Sequence, residues 1–352
     1  MILVLNLNAS VDKRYTLSDL KKGEVQRVTA VDNTPGGKGL HVANVDTILG
    51  EDTLVTGWLG GKPGEFIAER VRDYGIRGDF VPVAGETRSC LAILTAAGEQ
   101  TEILEPGPMV TADELAAFRA KYRELLPGAD LVVGSGSIPQ GVPKSIYADL
   151  IREAHDAGKR FLLDTSGEAL RTAFEAKPDF IKPNQAEVAD LTGRRAETEE
   201  DAQHAICALL DAGLPLACVS LGADGSLLGV AAETPDDPPQ LYRVKVPHID
   251  CKNPVGSGDS FVGGFNIKKG QSMGLENGRI AAVEDDPNDA AYRAVRRAAK
   301  RSTEMITVYY GDSVTEEKAQ QLCDRISEKF DDAAVMAVSG GQPVYHYLIS
   351  VE

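Results

Sequence analysis

A chain of 352 residues, 43% hydrophobic and 26% charged, has the size for one large domain with an accessory unit or for two domains, and its composition excludes a disordered or fibrous design. Its formal net charge of −16 argues against a broad nucleic-acid or anionic-membrane surface, which takes clustered Lys and Arg, although a few local cations could still hold a small anion. No apolar run approaches the ~20 residues of a membrane span, and no secretory signal is readable, so the expected location is cytoplasmic with no nucleic acid and no membrane span.

The elements follow in chain order. Met1–Leu7 reads as a buried strand, and residues 14–32 carry β-branched residues in polar alternation without a helix. Helical patterns cover Gly39–Leu49 and Gly64–Tyr74, after which residues 80–103 repeat the wet-faced strand pattern. These two stretches form either one small sheet over a substrate, a lid, or a pair of unrelated hairpins. Helix Thr111–Leu125, strand Leu131–Gly134, helix Lys144–Ala157, strands Phe161–Asp164 and Phe180–Pro183, helix Glu199–Ala212 and strand Leu216–Leu221 follow. Strands with so little polar alternation, separated by helices, predict a mostly parallel sheet covered on both faces. Past about Lys268 the pattern changes to helix Asp289–Arg301, strand Met305–Tyr310, helix Thr315–Phe330 and strands Ala333–Val338 and Val344–Val351, a compact αβ module.

Two glycine-rich runs carry the chemistry. In Asn253-Pro254-Val255-Gly256-Ser257-Gly258-Asp259, successive amides at a helix start form an anion cradle, and Asp259 stands where a carboxylate could take a proton from an attacking hydroxyl. A plain turn with Asp259 as helix cap is the alternative. Pro35-Gly36-Gly37-Lys38-Gly39-Leu40-His41 lacks the spacing of a P-loop; its glycines suit either close approach of backbone to a sugar or a tight turn. The five cysteines include no C-x-x-C pair and read as reduced thiols, and the five histidines show no metal spacing.

Together with Thr87-Arg88, Ser135-Gly136-Ser137-Ile138-Pro139, Asp164-Thr165-Ser166-Gly167-Glu168, Lys182-Pro183-Asn184 and Ser220-Leu221-Gly222-Ala223-Asp224-Gly225, these runs resemble the PfkB, ribokinase-type carbohydrate kinases, in the branch of 1-phosphofructokinase and tagatose-6-phosphate kinase. The resemblance covers residues 1–268. It implies a ribokinase-like three-layer α/β/α fold with a small β lid, and phosphorylation of fructose 1-phosphate or tagatose 6-phosphate to the bisphosphate by ATP and Mg²⁺. Asp259 would be the base, and Gly256, Ser257 and Gly258 the anion hole. Asp12, Gly36, Gly37, Lys38, His41, Arg88 and Ser137 would hold the sugar phosphate, with Lys38 and Arg88 on its phosphate. Lys182, Asn184, Glu187, Ser220, Gly222 and Gly225 would face the nucleotide, and Asn184 with Glu187 would organise Mg²⁺ through water.

Three departures qualify the match. His41 stands where the family usually has Asn. Asp46 stands near a usual Arg and so removes a positive charge, the alternative being a simple surface substitution on its helix. Residues 269–352 resemble instead the C-terminal part of dihydroxyacetone-kinase-like proteins of the fatty-acid kinase type, as in Ile306–Tyr310 and Gly340–Tyr345. A non-catalytic sugar-phosphate or lipid-associated binding module with an incomplete nucleotide pocket is therefore the alternative function, and a nucleoside or ribose kinase a weaker third. Which ketose phosphate is used stays open, as does the oligomeric state, a homodimer included.

Overall fold

The computed structural model describes residues 1–194, 196–232, 234, 237–244, 272–276, 279–284, 286–300, 303–311, 313–340 and 346–351. The chain divides into two compact units, one of Met1–Thr47 with Asp52–Gly263, the other of Ile48–Glu51 with Gly264–Glu352.

The first unit is built on a nine-stranded sheet. Its order is Gln240–Val244, Ser226–Val230, Leu216–Ser220, Phe180–Ile181, Arg160–Asp164, Leu131–Ser135, Ile2–Leu5, Thr53–Thr56 and Arg77–Gly78. The seven strands from Leu216–Ser220 onward are parallel; the two at the other edge are antiparallel, a hairpin extension that the run of apolar strands did not announce. Side chains alternate across the sheet, and Ile2–Leu5 shows the consequence. Leu3 and Leu5 join a cluster with Phe118, Tyr122, Tyr147, Leu150 and Phe161, while Ile2 and Val4 join another with Leu40, Val42, Ile67 and Val71. Two cores on opposite faces of one sheet make the three-layer α/β/α arrangement, so a strand buried on both sides has no polar position to spend.

Helices Lys38–Ile48, Gly61–Asp73, Ala112–Leu125, Ile146–Asp156 and Glu199–Asp211 lie within one to three residues of their expected ends. Ala112–Leu125 starts where it does because Thr111 and Glu114 close a capping box, each satisfying an otherwise orphaned amide. Asp46 is a correction: on helix Lys38–Ile48 it is fully buried, at 0% exposure, and is not a surface change.

A four-stranded sheet, Ala30–Gly36, Ser10–Leu17, Arg88–Thr95 and Gln100–Leu104, forms the lid. The two wet-faced stretches thus belong to one sheet and not to unrelated hairpins. Its central pair, Ser10–Leu17 with Arg88–Thr95, is parallel. The first lid strand begins at Ser10, earlier than the alternation suggested, because Ser10 and Val11 are buried. Val81–Pro82 pairs outside the lid, with Trp58–Leu59.

In the second unit the sheet order is Ala334–Ser339, Met305–Tyr310, Tyr347–Val351, with helices Pro287–Ala298 and Glu316–Ser327. Ala291, Val295, Ile306, Val308, Leu322, Cys323 and Ile326 make its own core. A hairpin, Ser272–Glu276 with Arg279–Glu284, precedes them. Among the described residues, no helix is long and apolar enough to cross a membrane.

Candidate active site

Parallel strands all point their C-terminal ends to one edge of a sheet, and the residues that follow those ends converge there. Asn6 and Asn8 follow Ile2–Leu5, Gly136 and Ser137 follow Leu131–Ser135, Asp164 ends Arg160–Asp164, and Lys182 follows Phe180–Ile181. Lid register adds the rest. Ser10 pairs with Gly36 on one side and with Arg88 on the other, so Asp12 lies two residues along from both.

Asp12 folds over Gly36 so closely that a Cβ there would sit 2.1 Å from its carboxyl; only glycine leaves it room. Ser10 Oγ donates to Asp12 Oδ1 at 2.7 Å, and His41 Nε2 lies 3.6 Å from Asp12 Oδ2. Gly37, at φ +107°, turns the chain past the Asn6 carboxamide, which a Cβ would meet at 2.6 Å. An acid and an imidazole side by side, next to a side-chain-free backbone, suit the hydroxyls of a sugar. Cys90 pairs opposite Asp12, and burial raises its pKa against the opposing pull of Ser10 and Arg88.

Arg88 is held by main chain. Its Nη1 donates to Glu105 O at 2.8 Å and its Nη2 to Asn8 O at 3.1 Å, while its Nε is buried with no partner among the described residues. A guanidinium fixed at both tips by main-chain oxygens is a positive charge held in one orientation, of a kind suited to phosphate oxygens.

Asp164, at 3% exposure, lies between two lysines: Lys38 Nζ at 3.4 Å from Oδ2 and Lys182 Nζ at 3.8 Å from Oδ1. This carboxylate joins the two groups of expected site residues, since Lys38 starts the helix beside Asn6 and Lys182 precedes the Asn184 loop. Asn184 Oδ1 accepts from the Ala186 and Glu187 amides, and Glu187 Oε2 from the Asn184 amide, a capping box for helix Gln185–Thr192. Of the pair's side-chain oxygens, Glu187 Oε1 stays outside the box, available to a metal-bound water. Asn184 bridges to Ser220, from which a tight turn with Gly222 at φ +61° and Gly225 at φ +87° leads into Ser226–Val230.

Asp12, Gly36, Gly37, Lys38, His41, Arg88, Ser137 and Lys182 are thus brought to one edge, with Asn184, Glu187, Ser220, Gly222 and Gly225 along the neighbouring strand ends. Gly256, Ser257, Gly258 and Asp259 lie outside the described residues, as do residues 341–345 of the tail segment Gly340–Tyr345. Sequence reading missed Asn6, Asn8 and the joining role of Asp164. The available signal was Asn6-Leu7-Asn8, two amides directly after a strand.

A family model described as pfkB family carbohydrate kinase matches residues 5–277, and one for the C-terminal region of FakA-like fatty acid kinase proteins matches residues 258–352. Phosphofructokinase-2 from Escherichia coli, in a crystal structure with substrates and products, is similar at 31% identity and TM-score 0.69, over 74% of this chain and 84% of that one. The same enzyme in complex with fructose-6-phosphate aligns at 30% identity and TM-score 0.68 over the same shares. A Thermotoga maritima protein described as a possible 1-phosphofructokinase shares the fold at 24% identity and TM-score 0.67, over 100% of this chain and 99% of that one.

Proposed function

The chain belongs to the pfkB family of carbohydrate kinases, which makes it a sugar phosphotransferase, and we propose that its acceptor is a ketohexose already carrying one phosphate. In this reading ATP gives its terminal phosphoryl group to a hydroxyl of fructose 1-phosphate or tagatose 6-phosphate, and the products are ADP and the bisphosphate. The kinase body runs to about residue 268, and residues 269–352 form a separate module.

The observation that carries the reading is the setting of Arg88, whose guanidinium, fixed at both tips, lies in one strand-end cluster with Lys38 and the Asp12–His41 pair. Asp12 and His41 serve hydroxyls; a neutral sugar has no use for the cations, whereas a phosphate does. Escherichia coli phosphofructokinase-2, seen with fructose-6-phosphate, lends support to an acceptor of this class.

Asp259 takes the proton of the attacking hydroxyl as its oxygen bonds to phosphorus and the bond to ADP breaks, while the amides of Gly256, Ser257 and Gly258 offset the charge on the phosphoryl oxygens. Asn184 and Glu187 would hold a Mg²⁺ ion through water, and the ion would supply further neutralisation of charge on the nucleotide phosphates. Lys182 and the Ser220–Gly225 turn border the donor, and Ser137 the acceptor. The lid excludes water that would otherwise hydrolyse ATP.

A coupled ADP-release assay over a panel of ketose phosphates and their unphosphorylated parents tests the acceptor. Turnover confined to the parents would overturn the reading. Asp259→Asn is expected to retain sugar-phosphate binding and to lose about 10²–10⁴-fold in turnover. A non-catalytic binding module is the second reading, favoured by the match of residues 258–352 to a different family. Calorimetry separates the two: heat with fructose 1-phosphate and none with Mg·ATP would support the binding module.

A further inference from the structure

Asn8 belongs to no glycine motif, yet it is 6% exposed and tied to three segments around Arg88. Its Nδ2 donates to Ser137 Oγ at 3.0 Å and to Pro106 O at 3.3 Å, and its main-chain O accepts from Arg88 Nη2 at 3.1 Å. The other tip of Arg88 is fixed by Glu105 O, one residue before Pro106. Gly107, at φ +93°, completes the arrangement: a Cβ there would sit 2.2 Å from Asn8 Oδ1, so the chain leaving the lid passes directly over the carboxamide. Asn8 Oδ1 has no hydrogen-bond partner among the described residues. A buried amide with one unsatisfied oxygen costs free energy, and it persists where its remaining bonds fix something of use.

We infer that Asn8 is the positioning residue for the phosphate-binding edge of the acceptor site, holding the Ser137 loop and the lid's return segment at the spacing that aims Arg88. The inference rests on the reading of the acceptor as a sugar phosphate and names the residue that sets its recognition. Removing the carboxamide leaves the main-chain bond to Arg88 in place and frees the other two segments. Arg88 keeps its charge and loses its aim, so discrimination between phosphorylated and unphosphorylated sugar falls, while the donor side is untouched.

The test is steady-state kinetics of the full chain with wild type, Asn8→Ala and Gly107→Ala, which drives a methyl into the same carboxamide from the opposite side. Both variants are expected to raise the sugar-phosphate KM by about tenfold or more, the scale of one charge-linked hydrogen bond, with the KM for Mg·ATP within about twofold of wild type. Unchanged sugar-phosphate KM in either folded variant overturns the inference, as does a parallel loss on both substrates with a lowered unfolding midpoint. If Asn8→Ala fails to fold, Gly107→Ala decides alone. A wild-type chain with no turnover on any ketose phosphate instead overturns the reading of the acceptor, and the inference with it.

Discussion

At the scale of single residues, the carboxylate between Lys38 and Lys182 is the most exacting feature. Lys182 is 8% exposed, and its ammonium is tolerated there because Asp164 offsets the loss of hydration. Asp164→Ala should therefore destabilise the first unit by about 3 kcal/mol or more in a denaturant titration, far beyond a loss of surface charge. Asp164→Asn, which keeps shape and acceptor, should cost less, and equal small losses in both would show that Lys182 is adequately solvated. The glycine runs and Arg88 were legible in sequence because each is a local pattern. Asn8 and Asp164 were not, since their partners lie 129 and 126 residues away and nothing local marks the pairing. Asp46 misled for a related reason: an acidic residue on a helix reads as exposed, and only its packing reveals otherwise.

At the scale of elements, three helices announced their own starts. Thr111 with Glu114, Asn184 with Glu187 and Thr198 with Asp201 all close capping boxes. Their consequences should differ. Thr111→Ala is expected to cost about 1 kcal/mol of stability with every KM unchanged, whereas Asn184→Ala should cost a similar amount and also raise the KM for Mg·ATP. Equal kinetic silence in both would remove Asn184 from the nucleotide side. The amides of Thr111 and Ala84 hold Glu114 below the usual carboxylate range. The part of the Thr111 cap that depends on this charge is present above about pH 4.5 and lost as pH falls below it. Elements with a period were readable from sequence; the antiparallel edge strands Ser226–Val230 and Gln240–Val244 were not. Gln240–Val244 is largely exposed, so burial imposes too little pattern on it.

At the scale of the molecule, the two units have separate cores, and among the described residues each buries one cysteine as a reporter. Burial pushes the thiols of Cys218 and Cys323 up to about 11 from 9.0. Because the folded values are the higher ones, this stabilisation is complete below about pH 9 and is lost as pH rises towards 11. Both thiols should resist alkylation at pH 8 in the native protein and react on unfolding. Followed along a denaturant gradient by mass spectrometry, they should become reactive at different concentrations, each unit unfolding with its own core. A single shared midpoint would show the units to be one cooperative body.

The parallel pairing of Ser10–Leu17 with Arg88–Thr95 has a consequence for biogenesis. Parallel neighbours cannot be joined by a tight turn, and here everything between them, including two strands of the main sheet and two helices, must be synthesised first. A growing polypeptide therefore carries Asp12 long before Arg88 emerges, and this half-made cradle stays incomplete until the central layer has assembled beneath it. In the proposed reading, recognition of the acceptor's phosphate is closed to the nascent chain until Arg88 has emerged, and truncated translation products ending before residue 88 should lack it altogether.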